Sequence, residues 1–124
     1  MIGTDIVQIS RFESFEKRFG VKALKRFLND AEIASIKKSS TAAGYWAAKE
    51  AISKALGTGI GETCGFHDIV IYKDKRGAPH FSLTPQLIEQ FNIKDTSLSI
   101  AHDGGFAIAV VVIDGIKSST TNKV

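Results

Sequence analysis

The chain has 124 residues, 44% of them hydrophobic, with 16 Lys and Arg against 13 Asp and Glu. That is one domain's worth of sequence, able to bury a core and only mildly basic. No apolar run reaches the roughly 18 residues that a spanning helix needs, and a single cysteine, Cys64, excludes an internal disulfide framework or a cysteine-based zinc site within one chain. The opening MIGTDIVQISRF lacks the basic and apolar regions of a signal peptide, so a reducing cytoplasm is the expected home.

Residues Ile2 to Ile9 read as a strand, with Asp5 breaking an apolar run. Ser10 is placed to cap a helix whose apolar positions are Phe12, Phe15 and Phe19, ended by Gly20. A short helical piece follows from Leu24 to Leu28. NDAE at Asn29 to Glu32 matches a capping box. Thr41 suits the cap of a long helix running to Leu56 and stopped by Gly57. The second half changes character. HDIVIYKD and HFSL read as strands around a turn with Gly77 and Pro79. TPQLIEQF reads as a helix with Thr84 as cap and Pro85 in its first turn. TSLSIAH and FAIAVVVID flank DGG as a hairpin. The polar end KSSTTNKV reads as a disordered tail, leaving residues 1–115 as a single domain and 116–124 outside it. One strand, a block of helices and then mostly strands predict an α+β fold, with an antiparallel sheet around a long central helix.

Glu50 and Lys54 lie one helical turn apart, with Trp46 on the same face. In isolation this is an ordinary exposed ion pair contributing about 0.3–0.5 kcal/mol. Ala47, Ala48, Ala51 and Ala55 change the setting, because they let strands approach the helix closely. A carboxylate held there needs a cation. Asp5 reads either as a strand-edge residue or as a metal ligand. With Glu50 it could offer the carboxylates that Mg²⁺ takes alongside phosphate oxygens and water. GTGIG, from Gly57 to Gly61, follows a helix rather than preceding one, so it is not a P-loop. His102, at a strand end beside glycines, reads equally as a ligand contact and as structure. Cys64 reads as a structural thiol. Between Arg11 and Arg26 the basic residues outnumber the acidic ones, which is either a solvated helix face or a surface for an acidic or phosphate-bearing partner.

Three separated motifs resemble those of the small phosphopantetheinyl transferases, the holo-acyl-carrier-protein synthases. GTDIVQISRF resembles the family's G-x-D-I-x-x-x-x-R segment. WAAKEAISKALGTGIG follows its long [FW]-A-A-K-E-A-x-x-K-A-x-G-T-G-I-G signature almost residue for residue. LSIAHDGGFAIAVVV resembles its strand-end histidine and final apolar strand, and KDKRGAPHF its D-x-x-G-x-P hairpin. The resemblance covers all but the tail.

It implies the 4′-phosphopantetheinyl transferase fold. It also implies transfer of 4′-phosphopantetheine from coenzyme A to a serine of apo acyl carrier protein, for fatty acid biosynthesis, with adenosine 3′,5′-bisphosphate as the other product. Asp5 and Glu50 would hold Mg²⁺, and Lys54 would face the phosphates. His102 would contact a coenzyme A phosphate, and Gly77 and Pro79 would lie near the adenine. Gly57 and Gly59 would help shape the cleft. The base would be Glu50 or a water relay, the relay being favoured because a metal-bound carboxylate loses proton affinity. Arg11, Arg18, Lys22 and Arg26 would dock the acidic carrier protein by electrostatic steering, helped in part by Phe12, Phe15 and Phe19. Small members of the family also imply a homotrimer with sites shared between subunits. The last strand FAIAVVVI reads equally as interface and as core.

Two positions depart from the family pattern. An arginine that normally precedes the long signature is Tyr45 here, and the residue before the strand-end histidine is Ala101. Lys49, Lys37, Lys38 or His102 could supply the missing charge. Two other readings compete: a basic nucleic-acid-binding module, which would leave Asp5 and Glu50 without purpose, and a non-catalytic trimeric scaffold.

Overall fold

The computed structural model describes residues 1–116 of the 124. Strand β1 (Ile2–Gln8) leads into helix α1 (Ile9–Phe19), then the short helices α2 (Val21–Lys25) and α3 (Asp30–Ser35) and the long α4 (Ser39–Leu56). A single 3₁₀ turn at Phe66–Asp68 precedes β2 (Ile69–Lys73), β3 (Pro79–Leu83), α5 (Pro85–Gln90), β4 (Asp95–Asp103) and β5 (Phe106–Asp114). The fold is α+β. Its antiparallel strands form a three-stranded sheet in the order β1-β5-β4 and a two-stranded sheet β2-β3. Helix α4 packs mainly on β1 and β5, and less on β4.

The alanine face makes that packing possible. Gly3 sits so close to α4 that a Cβ there would collide with the Ala51 carbonyl oxygen and fall 2.8 Å from the Ala55 nitrogen. Ala47, Ala48, Ala51 and Ala55 are buried in turn. Strand and helix thus meet backbone to backbone, which fixes how far Asp5 lies from α4.

Several boundaries shift from the sequence expectation for local reasons. Helix α1 begins at Ile9, so Ser10 lies inside it and its N-cap is Gln8. The Ile9 N–H donates to the Gly105 carbonyl at 2.9 Å, so a neighbouring turn does the work of a side-chain cap. Helix α4 begins at Ser39, ahead of Thr41, and the Ser39 hydroxyl donates to Glu16 at 2.8 Å. The second helical piece is Val21–Lys25, earlier than Leu24 to Leu28. His67 and Asp68 form the 3₁₀ turn rather than the start of β2. The capping box at Asn29 and the Thr84–Pro85 start of α5 form as read. The Ile116 N–H donates to the Phe91 carbonyl at 2.7 Å, so the chain stays tied down to that point. The rest of the expected tail, residues 117–124, lies outside the described residues.

Strand β5 serves two surfaces at once. Ala107, Ala109, Val111 and Ile113 are fully buried against α4, while Phe106, Ile108, Val110 and Val112 face outward. Ile2 and Ile6 of β1 pair with Val112 and Ile108 in register and are exposed too.

Candidate active site

The close contact at Gly3 brings the side of β1 onto α4. Asp5 and Glu50 then line one cavity of about 540 Å³, together with Trp46, Phe12, Phe15, Arg11 and Arg26. Trp46 and Glu50 share the helix face, as their spacing predicts. Aromatic packing holds that wall: Phe27 meets Trp46 at 4.9 Å between ring centroids and Phe12 at 5.8 Å, both edge-on. The two carboxylates feel each other. Burial first, and the Asp5 charge second, raise the Glu50 carboxyl above its ordinary range, while Lys54 pulls it back.

Lys54 reaches across rather than along the helix. Its ammonium donates to Asp5 Oδ1 at 2.8 Å and to the Thr4 carbonyl at 3.3 Å. That hydrogen bond to Asp5 is the main reason its pKa is raised. The i,i+4 spacing suggested a Glu50–Lys54 pair, but the nearer strand carboxylate takes the bond. The Lys54 side chain remains 53% exposed, so the ion pair is open to solvent and to ligands.

Lys49, one residue before Glu50, belongs to the core. It is fully buried, 3.0 Å from Glu32, and donates also to the Phe27 carbonyl at 2.7 Å and the Phe66 carbonyl at 3.1 Å. Burial lowers its pKa and Glu32 opposes the drop. Every donor is used, so Lys49 cannot supply a phosphate with charge, which corrects the sequence expectation. Glu32 does more than cap α3. Its carboxylate also accepts from the Ile71 N–H at 2.9 Å, joining α3, α4 and β2. The sequence signal was the capping box, which hid the second use.

A second, smaller cavity of about 90 Å³ opens beside the start of α4, lined by Thr41, Tyr45, Lys73, Gly77, Pro79, Ile100 and His102. Gly77, Pro79 and His102, far apart in sequence, therefore meet. His102 Nε2 lies 2.8 Å from the Ser40 carbonyl, which only accepts, so Nε2 carries the proton. Gly44 makes room for the ring: a Cβ there would lie 3.2 Å from His102 Nε2 and 2.9 Å from Ile100 Cγ2. Gly44 carried no signal in the sequence reading, where it was one small residue among alanines. Tyr45 is buried, and burial raises its phenol pKa, with Ser35 as its polar neighbour. Lys37 and Lys38 are exposed and line neither cavity.

The glycine ladder ends the helix. Gly57 takes φ 81° as the C-cap, and the N–H groups of Thr58 and Gly59 both donate to the Ser53 carbonyl. Within the single chain neither Gly57 nor Gly59 lines either cavity. Of the basic set, Arg11 and Arg26 stand on the first cavity, while Arg18 lies 5.2 Å over the Phe19 ring and Lys22 is exposed on α2. Phe12 is buried and Phe15 half-buried, which leaves Phe19, 47% exposed, as the open aromatic of α1. Among the described residues no group of three or more His, Cys, Asp or Glu forms a metal cluster, and no helix is long and apolar enough to cross a membrane.

Residues 1–111 match the family model of the 4′-phosphopantetheinyl transferase superfamily. The chain belongs to that superfamily and, within it, to the family of the holo-[acyl-carrier-protein] synthases. It is similar to the holo-[acyl-carrier-protein] synthase of Sulfurimonas denitrificans, 54% identical over 124 residues and the full length of both chains. The same enzyme of Nautilia profundicola is 60% identical over 113 residues, covering 91% of this chain and 98% of its own. A crystal structure of the Helicobacter pylori holo-[acyl-carrier-protein] synthase in complex with coenzyme A superposes with a TM-score of 0.89 at 51% identity, covering 92% of this chain and 100% of that one. Family membership makes the chain an enzyme, a phosphopantetheinyl transferase, and sets aside the nucleic-acid and scaffold readings.

Proposed function

We propose that the chain moves 4′-phosphopantetheine from coenzyme A to a serine of apo acyl carrier protein in an Mg²⁺-dependent reaction. Adenosine 3′,5′-bisphosphate leaves, and the product serves fatty acid biosynthesis in the cytoplasm. The observation that carries this is the pairing of Asp5 and Glu50 in one cavity, with Arg11 and Arg26 beside them.

The carboxylates fit a hard cation. They line one cavity, and burial first and the Asp5 charge second raise the Glu50 carboxyl, a strain that a cation between the two acids would relieve. Two protein carboxylates suit Mg²⁺ when the ligand brings phosphate oxygens. Mg²⁺, when bound, supplies positive charge to the pyrophosphate. The residues do the rest. Lys54 holds the Asp5 carboxylate in place at 2.8 Å and offers its exposed ammonium to charge growing on the leaving bisphosphate. The carrier serine attacks the phosphorus on the pantetheine side, and the bond to the bisphosphate breaks. The serine proton leaves through water, since a carboxylate facing a cation is a weak base. Arg11, Arg18, Lys22 and Arg26 steer the acidic carrier to this opening.

We infer further a homotrimer with sites shared between subunits, and the positions of the cavities support that reading. Tyr45 and Glu50 are five residues apart, about 140° around a helix of about 3.6 residues per turn. The carboxylate cavity and the His102 cavity therefore flank α4 on different sides, and a second copy would bring complementary halves together. The outward stripe of Ile2, Ile6, Phe106, Ile108, Val110 and Val112 offers the apolar surface such an assembly buries. Gly57 and Gly59 would then shape the cleft from a neighbouring copy.

The test weighs the carrier. Folded protein is incubated with coenzyme A, Mg²⁺ and apo acyl carrier protein, and mass spectrometry follows the carrier. A gain of one phosphopantetheine is expected. An unchanged mass sinks the reading.

A further inference from the structure

Lys49 is a buried cation that the transfer chemistry does not use. Its neighbour Glu50 lines the carboxylate cavity and Lys49 does not, since consecutive helical residues point about 100° apart. What its ammonium holds is backbone. It donates to the Phe27 carbonyl at 2.7 Å and to the Phe66 carbonyl at 3.1 Å, while Glu32 takes the third bond at 3.0 Å. The rings of those same two residues close on Trp46, Phe27 at 4.9 Å and Phe66 at 4.8 Å between centroids. One cation therefore fixes both walls of the tryptophan's seat. Trp46 is half-buried and lines the cavity with Arg26, the residue before Phe27.

Two features make that seat separable from the acids. Arg26 and Phe27 fall in the link between α2 and α3, where no helix or strand holds the backbone. Side-chain ties do that work: Lys49 on Phe27, and His67, whose Nε2 lies 3.1 Å from the Lys25 carbonyl. Helix α4, in contrast, is placed from its other side, where Ala51 and Ala55 meet the bare Cα of Gly3. Glu50 therefore keeps its position without Lys49, whereas Trp46 and Arg26 do not.

We propose that Lys49 is a positioning residue for the carrier protein: through the Phe27 and Phe66 carbonyls it sets the pose of Trp46 and Arg26, and so governs carrier affinity while leaving coenzyme A affinity unchanged. This rests on the transferase reading above. A protein partner draws most of its binding energy from a few anchors, Trp and Arg above all, and anchors held beforehand in one pose lose less freedom on docking.

Trp46 is the single tryptophan of the chain, so its fluorescence reports this seat directly. The main variant combines Glu32→Gln with Lys49→Met, which removes both buried charges together and leaves no unpaired ion in the core. Phe66→Leu leaves the ammonium in place and removes one wall. Leu87→Ala, buried in α5 and lining neither cavity, is the control for general loss of stability. Calorimetry measures apo acyl carrier protein and coenzyme A separately against each folded protein. In the double variant Trp46 emission should shift to the red, acrylamide should quench it more, and carrier affinity should fall about tenfold. Coenzyme A affinity should stay within about twofold of wild type. Phe66→Leu should move the same readouts in the same direction, and Leu87→Ala none of them. Wild-type emission and carrier affinity in the double variant overturn the proposal, as does an equal loss for coenzyme A or the same signature in Leu87→Ala. If the double variant does not fold, Phe66→Leu decides, and wild-type carrier affinity there overturns it. These measurements need no turnover. A protein that never loads the carrier, yet binds it in this Lys49-dependent way, contradicts the transferase reading and keeps the positioning role.

Discussion

Two lysines on one helix make opposite use of the same chemistry. Lys49 and Lys54 each face a carboxylate, at 3.0 and 2.8 Å. The Lys49–Glu32 pair is sealed, with side-chain exposures of 0% and 1%, whereas Lys54 and Asp5 keep 53% and 16%. In the sealed pair every donor is matched by a protein oxygen, so the charges hold α3, α4, β2 and the Phe27 and Phe66 carbonyls together and have nothing left to offer a ligand. In the open pair the charge can be redirected. Burial, rather than residue type, separates a charge that builds the fold from one that can act on a substrate.

Breaking the sealed pair should have the largest effect. Lys49→Ala leaves Glu32 uncompensated in the core and should cost about 3–5 kcal/mol of stability, read as a lower urea midpoint. Gly3→Ala comes next. Its methyl would collide with the Ala51 carbonyl, so the strand must lift from α4 at about 1–3 kcal/mol. Asp5 would move with it, so the transfer rate should fall in the protein that remains folded. Lys54→Ala sharpens the contrast from the other side. Urea melts should show a change within about 1 kcal/mol, while kcat/KM for carrier loading falls roughly a hundredfold.

A smaller effect is set by acidity. Burial and Asp5 hold the Glu50 carboxyl above its ordinary value of 4.5. Protons compete with the cation for this carboxylate, so at limiting Mg²⁺ activity should fall as pH drops through that raised metal-free value, earlier than for a surface carboxylate, and saturating Mg²⁺ should move the limb down. Lys54 opposes the shift, so in Lys54→Ala the acid limb of the residual rate should move further up. A limb moving down in that variant contradicts the assignment. Smallest of all, Cys64 is buried and its thiol is pushed up to about 11. With about one thiolate in a thousand at pH 8, it should resist a thiol reagent until denaturant is added.

What the sequence made legible follows the range of the interactions. Caps, turns and helix stops are decided within a few residues, and the Asn29 box, the Thr84–Pro85 start and the Gly57 stop all form. The alanine face rightly announced a close sheet. Features that depend on distant partners stayed hidden. Ser10 loses its capping role because Gly105 arrives from the other end of the chain. Lys49 looked as available as Lys54, since nothing local says that Glu32 and the two carbonyls will surround it. Tyr45 looked like a gap in a charged site and is buried, while Gly77 and Pro79 come to its cavity only through the β2–β3 hairpin.

The central claim is that the open acids, Asp5 and Glu50, act through Mg²⁺ on coenzyme A. Calorimetry of coenzyme A with and without Mg²⁺ tests it most directly. Wild type should bind at least about tenfold more tightly with the metal, a gain of about 1.4 kcal/mol. Asp5→Asn and Glu50→Gln should each lose that gain while keeping the metal-free affinity. A gain of undiminished size in both variants would contradict the account.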